Sequence, residues 1–369
     1  MSNNRLIIAA AGSGKTRYLV KSALSDISST LITTFTDANE REIRKKFVEL
    51  YGCVPAHVTI QTWYSFLLQH GVRPFQGVLT EEKIKGMILV NSKSGLKYKG
   101  KFPVYYKEDT EFDKFYFTND MKMYSDKIAK FVCRCNEETD GAVINRISHI
   151  YSRVYIDEIQ DMAGYDLELI KLLMNSDSDV LMVGDPRQVT YHTHNEAKYK
   201  KYNSGDIESF IKEECKNVQC DIDTTTLNSS YRNNEAICKY SSLLYPDYEE
   251  PDSNQLEITG HDGIFLVRKE DVAEYLQKYK AVQLRDKRTV LVNDDYSVIN
   301  MGEAKGLTFE RVLIYPTGPM LDWMKNHTKE LKPKSRSQLY VAITRAKYSV
   351  GIVCDYTDRM DVEDTTKFK

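Results

Sequence analysis

The segment Ala9-Ala10-Ala11-Gly12-Ser13-Gly14-Lys15-Thr16 places two glycines, a lysine and a hydroxyl within eight residues, directly behind an apolar run. Glycines let a turning backbone aim successive N–H groups at phosphate oxygens. A lysine at this spacing reaches the β- and γ-phosphates, and the threonine hydroxyl can ligate Mg2+. Gly12, Ser13, Gly14, Lys15 and Thr16 are therefore read as a nucleotide-phosphate site, with Ala9 where the general pattern has glycine. Such a loop needs an acidic partner on another strand. Tyr155-Ile156-Asp157-Glu158 closes an apolar run and aims two carboxylates at the strand's C-terminal edge. Asp157 then joins Thr16 in holding Mg2+, and Glu158 polarises the attacking water.

These residues need strands and helices to hold them. Arg5–Ala10, Thr30–Thr34, Val58–Gln61, Val154–Asp157 and Val180–Gly184 read as buried strands, followed by helical patterns such as Arg17–Ser25, Ala38–Leu50 and Tyr165–Met174. A second series comprises Thr224–Leu227, Gly263–Val267, Thr289–Val292, Val312–Tyr315 and Tyr348–Cys354, with helices near 233–244, 270–280 and 335–346. Continuous apolar strands alternating with helices predict an α/β fold with parallel sheets covered on both faces. The rhythm lapses between about 71 and 152. There, Lys83–Lys107 holds seven lysines and no acidic residue, interleaved with Tyr98, Phe102, Tyr105 and Tyr106. Basic residues with aromatics suit a single nucleic-acid strand; a solvated lysine face over an aromatic mini-core explains the same letters.

At 369 residues the chain has room for two or three domains. Lys plus Arg total 51 against 53 Asp plus Glu, a net charge of −2, so any nucleic-acid site is a local patch rather than a global one. No apolar run approaches the roughly 18 residues of a membrane span. The six-residue run Leu6–Ala11 is short of a signal core of about 7–15 residues and enters a glycine-rich loop. The seven scattered cysteines read as reduced thiols of a cytoplasmic protein, with no membrane association.

Asp157-Glu158-Ile159-Gln160-Asp161 resembles motif II of the superfamily 1 DNA helicases of the UvrD/Rep/PcrA type, and the rest of that series follows in order. Thr33-Thr34-Phe35-Thr36 resembles motif Ia and Gln61-Thr62-Trp63-Tyr64-Ser65-Phe66 the next DNA-contacting segment. Gly184-Asp185-Pro186-Arg187-Gln188 resembles motif III and Ser230-Tyr231-Arg232 motif IV. Glu303 to Phe309 resembles motif V, and Tyr340 to Lys347 motif VI. The resemblance implies two RecA-like parallel-sheet domains in tandem: a nucleotide-binding core over 1–215 with a small insertion at about 71–152, then a second core over 216–369. It further implies that Arg232 and Arg345 neutralise charge on the γ-phosphate, that Gln188 senses that phosphate, and that Arg17 and Tyr231 enclose adenine. Phe35, Thr36, Thr62, Trp63 and Tyr191 match DNA-contacting positions. Stacking on aromatics tolerates any sequence, as a motor requires.

Four departures accompany the likeness. Eight residues precede Ala9, too few for the family's adenine-reading glutamine, which leaves nucleoside triphosphate selectivity open. The tryptophan after motif III is Thr193, between His192 and His194. The motif V glutamate is Thr308, with Glu310 displaced by two. The 73 steps from Arg232 to Lys305 leave no room for the family's mobile subdomain. The resulting expectation is a DNA-dependent ATPase using ATP and Mg2+, a single-stranded DNA translocase or helicase of 3′→5′ polarity. The alternative is an ATP-gated DNA sensor or regulatory subunit acting with a partner such as a nuclease.

Overall fold

Six strands form the first sheet of the protein, a computed structural model that describes residues 3–189, 198–357, 360 and 362–369. Their spatial order is Cys220–Asp223, Asn4–Ile8, Asp179–Gly184, Arg153–Asp157, Thr30–Thr34 and Val58–Thr62. Burial explains the order. Thr30–Thr34 is buried at every position, and Arg153–Asp157 and Asp179–Gly184 at all but their first, as central strands covered on both faces must be. Val58–Thr62 alternates between buried and half-buried, as befits an edge. Parallel ladders join Asn4–Ile8 to Cys220–Asp223, Arg153–Asp157 to Asp179–Gly184, and Thr30–Thr34 to both its neighbours. The Asn4 side chain accepts from the Val180 amide at 3.2 Å, which sets the start of the first strand beside the start of Asp179–Gly184. The strands therefore share one C-terminal edge, where Ile8 and Asp157 both end.

The second sheet runs Val298–Asn300, Val282–Arg285, Phe309–Tyr315, Ala346–Val353, Gly263–Val267 and Thr366–Lys367, every pair parallel. Its core gathers Leu266, Leu284, Val312, Ile314, Val350 and Ile352 from the strands, with Ile237, Trp323 and Leu339 from helices over them. The fold is thus α/β with two parallel-strand sheets in tandem. By contact the chain divides into two compact units. The first comprises Met1–Ile7, Thr16–Gly184 and His192–Asp223, and the second Ile8–Lys15, Asp185–Tyr191 and Thr224–Lys369.

Three details differ from the sequence reading. Thr224–Leu227 is a turn, and the strand there is Cys220–Asp223, whose ladder lies in the first sheet, so the first core runs past 215. Asp223 is held there by an ion pair with Arg5. Thr289–Val292 is a loop rather than a strand. The fully buried Gln283 side chain replaces a ladder there, donating to the Asn293 carbonyl at 2.7 Å and accepting from the Asn293 amide at 3.0 Å. Finally, the insertion's aromatic mini-core is built by Phe112, Phe115, Tyr116, Phe117 and Phe131 rather than by the rings among the lysines. All seven cysteines are unpaired. No described helix is long and apolar enough to cross a membrane.

Candidate active site

The phosphate loop leaves the strand Asn4–Ile8 and runs into the helix Lys15–Ala23. The Ala10 amide donates to the Leu227 carbonyl at 2.8 Å, and the Gly12 carbonyl accepts from the Tyr231 amide at 3.0 Å. Gly12 has φ +74°, and a Cβ there would stand 2.6 Å from Arg232 Cβ and 2.8 Å from Ser230 Oγ. Only glycine satisfies both the left-handed backbone and this close approach. Ser13 is buried, and its hydroxyl finds no hydrogen-bond partner among the described residues. A buried hydroxyl without a partner is costly unless a ligand oxygen accepts from it. That is the observation by which the loop fits a nucleotide phosphate. Lys15 and Thr16 are half-buried in the first turn of their helix, where the backbone dipole also favours an anion.

Asp157 ends its strand 3% exposed, and its Oδ1 accepts from the Glu158 amide at 3.0 Å. Glu158 sits in the left-handed region (φ +54°, ψ 43°), unusual for a non-glycine residue, and its carboxylate accepts from the Gln160 side-chain amide. Gly184 lies against this turn: a Cβ would fall 2.2 Å from Gln160 Oε1 and 2.7 Å from Ile159 Cγ2. Among the described residues no cluster of three or more His, Cys, Asp or Glu could hold a metal. Mg2+ keeps few protein ligands beside phosphate oxygens and waters, a demand that the oxygen donors of Thr16 and Asp157 fit.

The segment after Gly184 carries a buried network. Asp185 Oδ1 accepts from Arg187 Nε at 2.7 Å, and Oδ2 accepts from Gln188 Nε2 at 2.8 Å and from the Tyr340 hydroxyl at 3.3 Å. Arg187 Nη2 donates to the Ala9 carbonyl at 3.1 Å, and the guanidinium lies 5.3 Å from the ring centres of both Tyr248 and Tyr340. Burial alone would lower the Arg187 pKa; Asp185 outweighs it and holds the group charged above its ordinary value. Gln188 Oε1 accepts from Arg345 Nη2 at 3.1 Å. Arg345, 2% exposed, also donates to the Val341 and Leu307 carbonyls, each at 3.3 Å. Arg232 Nη1 donates to the Thr344 carbonyl at 3.3 Å, one residue before Arg345. Gln188 and Arg345 are thus in direct contact, and Arg232 is anchored beside Arg345.

Other candidates stand apart. Arg17 is exposed and Tyr231 is 66% exposed, so each offers its side chain to solvent. Thr36 and Thr62 cap helices, their hydroxyls accepting from the Asn39 and Ser65 amides. Phe35 is half-buried, edge-on to Tyr64 at 5.4 Å. Trp63 requires a correction: it is fully buried, and its indole N–H donates to the buried Asp166 carboxylate at 2.7 Å. It is a core side chain here, with no ring face for a base. Tyr191, like His192, Thr193 and His194, lies outside the described residues. Thr308 is exposed, and Glu303, also exposed, accepts from Asn300. Sequence reasoning gave no role to Asp185, Arg187 or Tyr340. The available signal was an Asp and an Arg two apart beside a strand too apolar to end on a surface.

Two family models match the chain. One, described as the viral superfamily 1 RNA helicase core domain, covers residues 119–354, and the other, an AAA domain, residues 1–194. No curated protein matches. Among solved structures the chain is similar to the arterivirus nonstructural protein 10 helicase, at 15% identity and TM-score 0.47 over 97% of this chain and 61% of that one. A complex of that helicase with DNA gives 15% identity and 0.48 over 95% and 60%. The PRRSV helicase gives 13% and 0.44 over 98% and 55%. The chain spans about three-fifths of the length of these helicases.

Proposed function

Because this chain belongs to the viral superfamily 1 RNA helicase core family and, over its first half, to the AAA domain family, we propose that it is an ATP-dependent, Mg2+-requiring motor on single-stranded nucleic acid. The observation that carries this reading is the hydrogen-bonded continuity of the second unit. The phosphate loop is bonded to the Arg232 segment and, through Arg187, to the segment bearing Gln188, which itself accepts from Arg345. Residues that would respond to a γ-phosphate are therefore mechanically tied to the loop that would hold it.

The roles follow from charge. Lys15 and the loop amides neutralise the phosphates, and Mg2+, held by Thr16 and Asp157, would offset charge on the β- and γ-oxygens. Glu158, fixed by Gln160, orients and deprotonates water. Arg345 exchanges Gln188 Oε1 for a phosphate oxygen, and Arg232 adds a second positive charge. Release of Gln188 then passes the state of the nucleotide to the rest of its segment.

The UvrD-type motif series supports DNA as the track and 3′→5′ as the direction, whereas the matching family is described by RNA. Streptavidin displacement from biotinylated DNA and RNA oligonucleotides tests both. ATP-dependent clearance from the 5′ end alone supports a 3′→5′ motor, and the preferred oligonucleotide identifies the track. One observation favours the second reading, an ATP-gated sensor acting with a partner such as a nuclease: Trp63, a candidate stacking surface, is enclosed in the core. Strand-stimulated hydrolysis without displacement from either end would select the sensor and overturn the motor.

A further inference from the structure

The insertion in the first unit bears a strongly one-sided surface that the nucleotide chemistry does not use. All seven lysines between Lys83 and Lys107 are exposed, and among the described residues only Lys97 forms an ion pair, with Glu111 at 3.0 Å. In their midst the antiparallel strands Leu96–Tyr98 and Val104–Tyr105 make a short hairpin. Its base is fixed. The Ser94 amide and hydroxyl donate to the buried Asp126 carboxylate at 3.0 and 2.6 Å, and the Tyr106 amide donates to the Gly95 carbonyl at 2.8 Å. Lys93 stands 4.6 Å from the Tyr105 ring centre, and Lys97 and Lys114 stand 5.7 and 5.4 Å from that of Tyr106, so those rings are engaged.

The tip differs. Tyr98 is 65% and Phe102 79% exposed; neither meets another ring among the described residues, and Lys101 stands 6.0 Å from the Phe102 ring centre. The Tyr98 ring packs over Gly100, where a Cβ would lie 2.7 Å from Cε1, so one side of the ring is held by the turn. Leu96 and Val104, on the hairpin's two strands, are exposed as well. Leaving a large apolar side chain in water forgoes about 1.5–3 kcal/mol of burial, and several such side chains exposed on one short hairpin mark a binding surface. The chemistry narrows the ligand. Lysines without acidic neighbours attract a polyanion, and exposed rings select one with accessible planar faces. Unpaired bases on a phosphate backbone offer both; a duplex hides its base faces, and an anionic membrane or acidic peptide has none.

We infer that the hairpin 96–105 is a second single-strand contact, gripping phosphates with Lys99 and Lys101 and stacking unpaired bases on Tyr98 and Phe102. The inference rests on the nucleic-acid motor reading and deepens it. None of the nucleotide-site residues lies in the hairpin, so this grip persists when nucleotide is absent. The test is fluorescence anisotropy of the full chain without nucleotide, using labelled oligodeoxythymidine, oligouridine and a blunt duplex over a range of salt. Tyr98→Ala/Phe102→Ala weakens single-strand binding at least about tenfold, since each stacked base contributes about 1–3 kcal/mol, and leaves the salt slope unchanged. Lys99→Ala/Lys101→Ala flattens the slope of log affinity against log salt by about 1.4, from roughly 0.7 per phosphate contact on a single strand. Unstimulated ATPase stays at the wild-type rate in both, which checks folding. If both variants bind within twofold of wild type, the hairpin inference falls and the motor reading stands. A wild type that binds no strand overturns both. An equal loss of duplex binding in the aromatic variant, or binding only to phosphatidylserine vesicles, overturns the single-strand assignment.

Discussion

Replacing Arg187 by Met probes the network that ties the phosphate loop to Gln188. Arg187 and Asp185 are 3% and 0% exposed, so the pair lies out of water. Removing the guanidinium strips the buried Asp185 carboxylate of its 2.7 Å Nε bond and of the positive charge beside it, while Gln188 and Tyr340 still donate to it. It also removes the donor to the Ala9 carbonyl and the cation from between Tyr248 and Tyr340. Breaking one side of a buried pair costs about 3–5 kcal/mol. The companion change Asp185→Asn removes the carboxylate charge while keeping one oxygen for Gln188 and Tyr340. The double variant should therefore lose only about 1–3 kcal/mol, the cost of donors and acceptors left imperfectly matched. The second substitution thus restores stability in the background of the first. The chain has two tryptophans, Trp63 in the first unit and Trp323 in the second. A shared Trp63→Phe background leaves Trp323 to report on the unit containing Arg187. With a urea m-value of about 2 kcal/mol/M, Arg187→Met lowers the midpoint by about 1.5–2.5 M, and adding Asp185→Asn raises it again. A loss under 1 kcal/mol for Arg187→Met, or a further fall on adding Asp185→Asn, would refute the reasoning.

Three other outcomes follow from single sites. Gly184→Ala forces a methyl into Gln160 and Ile159 and should cost about 1–3 kcal/mol while lowering kcat through the displaced Glu158 turn, read by urea titration and steady-state ATPase. Trp63→Phe removes the indole donor to the buried Asp166 carboxylate and should lose about 1–3 kcal/mol, with oligonucleotide affinity within twofold of wild type; a tenfold affinity loss would return Trp63 to the strand-binding surface. His261 stacks between Phe265 and Tyr279 at 3.7 and 3.6 Å, and burial, with Arg311 nearby, depresses its pKa to about 4. The unfolded chain takes up that proton first, near pH 6.5. Stability is therefore full above 6.5 and falls progressively toward pH 4, by about 2 kcal/mol at pH 5. His261→Phe should remove that component from the pH profile of unfolding.

Much of the fold was legible in the sequence because central parallel strands are written as short runs of β-branched and aliphatic residues: Thr30–Thr34 and Gly263–Val267 occupy the spans read for them. The misread strands lacked that support. Thr224–Leu227 has β-branched residues but turns directly after the strand Cys220–Asp223, and Thr289–Val292 sits beside a glutamine that bonds its loop from the side. The phosphate loop and the Asp157 turn were legible because their chemistry is local. The environments of Trp63 and Arg187 were not, because their decisive partners lie 103 and 178 residues away, at Asp166 and Ala9. Motif likeness locates a residue in the chain; burial decides which face it presents.

The central claim, hydrolysis coupled to a nucleic-acid strand, is tested most directly by steady-state ATP turnover with and without a single-stranded oligonucleotide, in the wild type and in Glu158→Gln. The strand should raise wild-type turnover severalfold. Glu158→Gln should lower kcat by about 100-fold or more, as expected for a lost general base, while still binding nucleotide. Turnover indifferent to DNA and RNA across a range of salt, or a Glu158→Gln kcat within twofold of wild type, would contradict it.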